Sequence, residues 1–369
     1  MRAGCHGSAV GAAFTAVAVA VAAAAAVGIA AFAVFAAFAA FAAGCAGPAD
    51  DGDGLGLSAP LPSAPACQAG AGSLSAPMAQ DSVAGPIGAD GGTLPRLVFA
   101  AVGDTRPATV DDTAGYPAGV ITAIFADLRD VEPRPAMALS TGDYLFASTP
   151  PRDGDSQAGP QLDIYMQARA RFPGPLFPAL GNHECTGATS SNCGPGSHDG
   201  VTSNYSAFLE KMLAPIGKAT PYYSIDVAAA DATWTAKFVF VAANAWSSAQ
   251  EAWLESALAK PSTYTFVVRH EPASVTSAPG VAPSELVMAR HPYTLAIVGH
   301  SHTYAHDPET PRQVLVGNGG APLTSKDYGF ALFSQRPDGV LDVDMLQWQT
   351  RCADPSFHFA VRPDGSAVR

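Results

Sequence analysis

The chain has 369 residues, only 14% of them charged, and a formal net charge of −12. Length alone would admit two domains. An acidic balance with no Lys/Arg-rich run excludes a nucleic-acid backbone as the main partner, because that partner demands clustered cations to neutralise phosphates.

Residues 1–45 contain one Arg, Arg2, and no acid, and are dominated by alanine. The segment is too featureless for a domain core and reads as an export signal, although its apolar stretch exceeds the usual core of about 7–15 residues. Either translation starts further in, or the segment stays as a membrane anchor, for which about 20 residues suffice. Ala42-Ala43-Gly44-Cys45 resembles a bacterial lipoprotein cleavage box with Cys45 as the lipidated residue; the competing reading is an uncleaved anchor helix. Each reading exports the rest of the chain, to a bacterial cell envelope or into the medium. Residues 46–95 are rich in Gly, Ala, Ser and Pro without a sustained period, which predicts a disordered tether. The expected folded domain is then 96–369.

From Leu97 onward strand-like and helix-like runs alternate. Strands are expected at 97–102, 136–141, 175–180, 222–227, 236–243, 264–269, 294–298, 313–317, 328–334, 340–346 and 356–361. Helices are expected at 117–130, 161–171, 204–213, 248–260 and 283–290. In the fourth of these Ser248 is the expected cap, with Glu251 three residues on and Trp253, Leu254 and Leu258 at helical spacing. The early part reads β-α-β-α and the end mostly β, a mixed α/β pattern that predicts two packed sheets with helices outside.

Among the cysteines, Cys185 and Cys193 bracket the polar loop CTGATSSNC, and an exported chain favours a local disulfide there. A metal-binding thiolate pair is the weaker alternative, since thiolates suit softer ions than the oxygen-rich cluster described next. Cys67 and Cys352 are a further candidate pair.

Five polar motifs, GDTR, STGDY, ALGNHE, VVRHEP and IVGHSH, each follow directly on an expected strand. Ligands bind where loops leave the carboxyl ends of strands. The residues these motifs bring forward are Asp104, Asp143, Asn182, His183, His270, His300 and His302. Carboxylate, amide oxygen and imidazole together suit borderline or hard cations. A serine-hydrolase reading fails because no G-x-S-x-G elbow stands at a strand-to-helix turn.

In that order and spacing, the motifs resemble the calcineurin-like metallophosphoesterase superfamily, purple acid phosphatases included, over about residues 97–305. The resemblance implies a four-layer α-β-β-α sandwich of two mixed sheets flanked by helices. It implies a dinuclear site for two divalent or trivalent ions (Fe, Zn or Mn), of which only one binds tightly if a ligand is missing. Asp143 would bridge the ions. Asn182, His270 and His300 would complete one position, and Asp104 and His302 would contribute to the other. His183 would contact the phosphoryl group or leaving oxygen, oriented by Glu184, and Gly317-Asn318-Gly319-Gly320 resembles a loop near this site. The implied activity is exported, metal-dependent hydrolysis of small phosphate mono- or diesters by a metal-bound hydroxide. A cell-surface scaffold with a degenerate site is the alternative.

Two positions depart from the pattern. The superfamily has Asp-x-His at the first motif where this chain has Asp104-Thr105-Arg106, and the purple phosphatases have tyrosine where this chain has Phe146. Arg106 therefore clamps a substrate phosphate, or pairs with Asp111 or Asp112 at the surface, or marks a site that holds one ion tightly. Tyr144 is either a replacement ligand or a hydrogen-bonded aromatic beside the pocket.

Overall fold

The structure, a computed structural model, describes residues 87–368 apart from 153, 325, 326 and 349. The expected signal or anchor, the lipidation box and residues 46–86 of the expected tether lie outside the described residues, as does Cys67. Among the described residues no helix is long and apolar enough to cross a membrane.

Two mixed sheets form the body. The seven-stranded sheet contains β1 (Gly91–Leu94), β5 (Tyr223–Ala229), β6 (Thr235–Val241), β7 (Tyr264–Arg269), β8 (Leu295–Val298), β9 (Tyr304–His306) and β10 (Gln313–Val316), in the order β1-β5-β6-β7-β8-β10-β9. The six-stranded sheet contains β2 (Val98–Val102), β3 (Met137–Ser140), β4 (Leu176–Pro178), β11 (Gly329–Gln335), β12 (Leu341–Gln347) and β13 (Ala353–Val361), in the order β13-β12-β11-β2-β3-β4. All the strands expected from the sequence are present. The two that were not expected are β1 and β9. β1 carries the expected domain start back from residue 96, because GGTL has no apolar alternation and joins the sheet through parallel backbone pairing with β5.

The interface between the sheets is aromatic. Phe99 of β2 stacks on its cross-strand partner Phe333 of β11 at 4.4 Å and meets Phe238 and Phe266 of the other sheet edge-on at 5.0 Å. Such pairs contribute about 0.5–1.5 kcal/mol each beyond their buried area. The helices lie outside. α1 (Ala118–Asp130) buries Ile121, Ile124, Phe125 and Leu128, the i, i+3, i+4, i+7 stripe of an amphipathic helix. It packs beside α2 (Ala158–Arg169), which buries Leu162 and Tyr165 in the same core as the six-stranded sheet. A short α3 (Ser203–Phe208) follows and runs on as a π-helical turn, Leu209–Leu213.

On the other side α4 (Ser248–Ala259) and α5 (Val281–Met288) place Leu254, Leu258, Val287 and Met288 against Val239, Val241, Val267 and Ala296 of the seven-stranded sheet. The expected cap of α4 moves by one residue. Ser247, extended at φ −151°, accepts from the Gln250 amide at 3.2 Å, so Ser248 is already inside the helix.

Topology decides where the polar motifs meet. β2, β3 and β4 are parallel neighbours in one sheet, and β7 and β8 are parallel neighbours in the other. Their carboxyl ends point the same way, so the five following loops converge across the seam between the sheets.

Candidate metal centre

Backbone hydrogen bonds bind the loops together. The Asp104 amide donates to Gly142 O at 3.0 Å and the Thr105 amide to Asp143 O at 2.9 Å, joining the loops after β2 and β3. The Gly299 amide donates to His270 O at 2.8 Å, joining those after β7 and β8. The sheets are then linked through the site. The His300 amide donates to Asp104 Oδ2 at 2.9 Å, and Thr141 Oγ1 donates to Val316 O at 2.9 Å.

Asp104, Asp143, His300 and His302 all have left-handed backbones, with φ of 56°, 58°, 77° and 40°. Each costs conformational energy, and strain of this kind persists where the surroundings over-determine it, as at functional sites. Gly142, at φ 109°, is required here because a Cβ would stand 2.8 Å from His270 Nδ1.

Four donor atoms meet at one point. His270 Nε2 lies 3.1 Å from Asn182 Oδ1, 3.3 Å from Asp143 Oδ1 and 3.2 Å from His300 Nδ1, and Asn182 Oδ1 lies 3.1 Å from His300 Nδ1. Neighbouring contacts fix what these atoms are. His270 Nδ1 faces Thr141 O at 2.9 Å, so it carries a proton and turns Nε2 to the cluster; burial opposes charge on this ring, but Asp143 outweighs it and raises the pKa, so Nε2 also holds a proton until a cation displaces it. Asn182 Nδ2 donates to Gly187 O at 2.7 Å, which turns Oδ1 to the cluster. With no ion present, ring protons of the two histidines can bridge these contacts; a cation would take the place of those protons, with two oxygens and two imidazole nitrogens as its ligands. Bonds of ~2.1 Å set ligand atoms ~3.0 Å apart at right angles and ~3.4 Å apart at tetrahedral angles, which brackets the spacing found. The residues fit a metal ion.

A second grouping is looser. Asp104, Asp143 and His302 each offer one atom within 4.8 Å of the others. His302 Nδ1 contacts Pro322 O at 2.8 Å, leaving Nε2 to face Asp104 Oδ1 at 3.7 Å. The loop from Gly317 to Gly320 backs this side; the Gly317 amide donates to Thr303 O at 2.8 Å and the Gly319 amide to Gly103 O at 2.7 Å.

Arg106 does not reach the surface carboxylates. Asp111 and Asp112 are occupied by the amides of Ser148 and Gly115 at 2.7 and 2.8 Å. The guanidinium turns into the site, with Nε 3.7 Å from Asp143 Oδ2 and Cζ 4.8 Å from the centre of the Phe146 ring. The surface-pair reading is corrected on that geometry. Tyr144 points into the core, its hydroxyl donating to Ala179 O at 3.1 Å, so it is no replacement ligand.

His183 lies at the rim, Nε2 3.8 Å from Asp143 Oδ2, its ring edge-on to Phe146 at 4.7 Å. Glu184 has a different partner from the one expected. Its Oε2 accepts from the amides of Asp143 and Gly181 at 2.9 and 2.8 Å, and Oε1 from that of Tyr144 at 2.8 Å. It braces the Asp143 loop instead of orienting His183.

Burial dominates the ionisation of the site. It lowers His183 and His300 to about 4, aided for His300 by the charge of His270, and raises Glu184 to about 7, aided by Asp143. Burial also opposes charge on Asp143, but His270 and His183 outweigh it and hold the carboxyl well below its usual range. For Asp104, with fewer favourable partners, burial prevails and the pKa rises.

Glu271 was not singled out from the sequence. It is fully buried, neither carboxylate oxygen has a hydrogen-bond partner among the described residues, and one oxygen lies within 4.8 Å of ligand atoms of His270 and His300. An acid directly following a candidate ligand was the available signal.

Cys185 and Cys193 form a disulfide, which excludes the thiolate metal pair and anchors the turn after Glu184. Cys352 is also disulfide-bonded, but its suggested partner Cys67 lies outside the described residues. The remaining histidines among the described residues are held by other partners: His198 by Asp199 at 3.1 Å, His291 by Glu255 at 2.7 Å, His358 by Asp344 at 2.8 Å, and His306 stacked on Phe359 at 3.7 Å.

Solved structures with a similar fold include GAP50, the anchor in the inner membrane complex of Plasmodium, at 17% identity and a TM-score of 0.51, covering 73% of this chain and 89% of that one. Another is purple acid phosphatase PPD1 from yellow lupin (Lupinus luteus) seeds, at 17% identity and a TM-score of 0.48, covering 70% of this chain and 52% of that one. No curated protein matches the chain. The family model for calcineurin-like phosphoesterases matches residues 97–304, the stretch that supplies every strand-end motif described above. The chain belongs to the calcineurin-like phosphoesterase family.

Proposed function

We propose that the protein is an exported, metal-dependent phosphoesterase acting on small phosphate mono- or diesters. The observation that carries this reading is the convergence of Asp143 Oδ1, Asn182 Oδ1, His270 Nε2 and His300 Nδ1, whose contacts of 3.1–3.3 Å match the spacing of ligand atoms around one cation. Asp104 and His302, together with the other oxygen of Asp143, are the ligands offered to a second position. A bound cation supplies charge neutralisation at the phosphoryl group and acidifies water.

The chain's own residues supply the rest. Arg106 aims a planar guanidinium at the space beside Asp143, the geometry that holds a phosphate oxygen. His183, neutral near pH 7 because burial depresses it to about 4, offers a ring N–H to the departing ester oxygen. The strained loops, stitched across both sheets, keep these groups from collapsing onto one another. Export is supported by the Cys185–Cys193 disulfide, a bond that persists in oxidising compartments.

The test is hydrolysis of chromogenic mono- and diesters by the purified chain with Mn²⁺, Zn²⁺ or Fe²⁺, beside Asp143→Asn. The reading predicts turnover that the substitution abolishes together with most bound metal; equal turnover in the variant would overturn it. A scaffold is the second reading, favoured by Arg106 standing where the family has a ligand and by a fold shared with a protein described as a membrane-complex anchor. Bound metal without turnover on any ester of the panel would select it.

A further inference from the structure

We propose that this site holds one tight cation, among Asp143, Asn182, His270, His300 and Glu271, and that the Arg106 guanidinium replaces the second cation of the family pattern. The proposal rests on the phosphoesterase reading and concerns how that site is built.

Two charged groups of opposite sign flank the cluster, Arg106 beside Asp143 and Glu271 beside His270. On the Asp104 side, Arg106 places a fixed positive charge at Oδ2, the oxygen not engaged by His270. Its Nε is buried and lacks a hydrogen-bond partner, and 3.7 Å is too long for a direct bond to the carboxylate. The guanidinium is nonetheless held, by NH1 donating to Pro107 O at 3.0 Å and by the Phe146 ring. A cation placed between Asp104, Asp143 and His302 would be repelled by that guanidinium with little water to screen it. An anion lying between a cation and the guanidinium meets no such repulsion, and a phosphate oxygen would satisfy the unpaired Nε.

On the His270 side, Glu271 adds a carboxylate with both oxygens unpaired and no exposure. Burial raises the Glu271 carboxyl above its usual range, so an adjacent cation is what would hold it ionised. With all three acids ionised, the three negative charges of Asp104, Asp143 and Glu271 against the one positive charge of Arg106 leave a formal charge of −2, which one divalent ion neutralises. Glu184 stands outside this count because backbone amides hold its oxygens. The tight spacing of the first cluster and the looser second one agree with one preformed position.

The test is metal stoichiometry and affinity of the full chain, stripped with chelator and titrated with Zn²⁺ or Mn²⁺ alone. One tight equivalent is expected for the native chain. Arg106→His, which exchanges the cation for a neutral donor, should bind two. Glu271→Gln should keep one equivalent with a Kd raised ~10–100-fold. Two equivalents of similar affinity in the native chain would overturn the inference while leaving the phosphoesterase reading intact. So would a single equivalent in folded Arg106→His, and an unchanged Kd in Glu271→Gln would overturn the role of that acid. No bound metal at all would overturn both readings.

Discussion

Replacing Glu184 by Gln separates what this residue does from what its motif implies. The carboxylate accepts amide hydrogen bonds from Asp143, Gly181 and Tyr144 at 2.8–2.9 Å. Glutamine keeps one acceptor oxygen. Turned toward Asp143 and Gly181, it sets its NH₂ group against the Tyr144 amide, donor against donor. Hydrogen bonds to a charged group contribute about 1.5–3 kcal/mol, and an unpaired buried donor costs about 1–3 kcal/mol. Burial already raises Glu184 to about 7, which trims the benefit of its charge, so the expected loss is about 2–3 kcal/mol. The distortion should reach Asp143 and weaken metal binding ~10-fold or more, the usual effect of losing a group that orients a ligand. Urea denaturation followed by circular dichroism reads the first quantity and metal titration the second. Combining the substitution with His183→Ala decides the mechanism. If Glu184 acts through the Asp143 loop, its effect on metal affinity persists unchanged without the histidine. Disappearance of that effect in the double variant, or stability within ~0.5 kcal/mol of native for Glu184→Gln, would refute the argument.

Gly142→Ala should cost about 1–3 kcal/mol and lower metal occupancy, because φ is 109° there and the new methyl would crowd His270 Nδ1; native thermal stability with full metal content would contradict this. Removing the disulfide with the Cys185→Ser, Cys193→Ser pair should destabilise the chain by about 2–3 kcal/mol, since the bond closes a loop with a sequence separation of 8. A denaturation midpoint insensitive to both the double substitution and reductant would be inconsistent with that. Chelation should lower the thermal midpoint, with recovery on adding metal, because ion binding favours the folded state. Equal midpoints with and without chelator would speak against a buried ion among Asp143, Asn182, His270 and His300.

The strands with continuous apolar runs could be placed from sequence because they are buried on both faces, as β2 and β7 are throughout. β1 gave no such signal: its pairing with β5 uses backbone groups that any sequence possesses. β9 is three residues long and directly follows a ligand motif, so its polar context hid it. The α4 cap moved because adjacent serines, Ser247 and Ser248, are equally suited chemically and only backbone geometry distinguishes them.

At the site, residue types were legible because each motif ends a strand. Directions were not. Arg106 could turn inward or outward from the same backbone, and only the folded geometry, with Nε 3.7 Å from Asp143 Oδ2 and the guanidinium over the Phe146 ring, shows that it turns inward. Glu184 braces Asp143 because the turns after β3 and β4 lie side by side, a fact of sheet order. Tyr144 was settled by packing, its ring buried against Tyr165 and Phe208.

The central claim is that Asp143, Asn182, His270 and His300 share one cation. Anomalous diffraction at the absorption edge of the bound metal, from crystals of the loaded protein, tests it most directly. The account predicts a peak within ~2.0–2.3 Å of Asp143 Oδ1, Asn182 Oδ1, His270 Nε2 and His300 Nδ1 together. A well-occupied ion elsewhere, with these four atoms left facing one another, would contradict it.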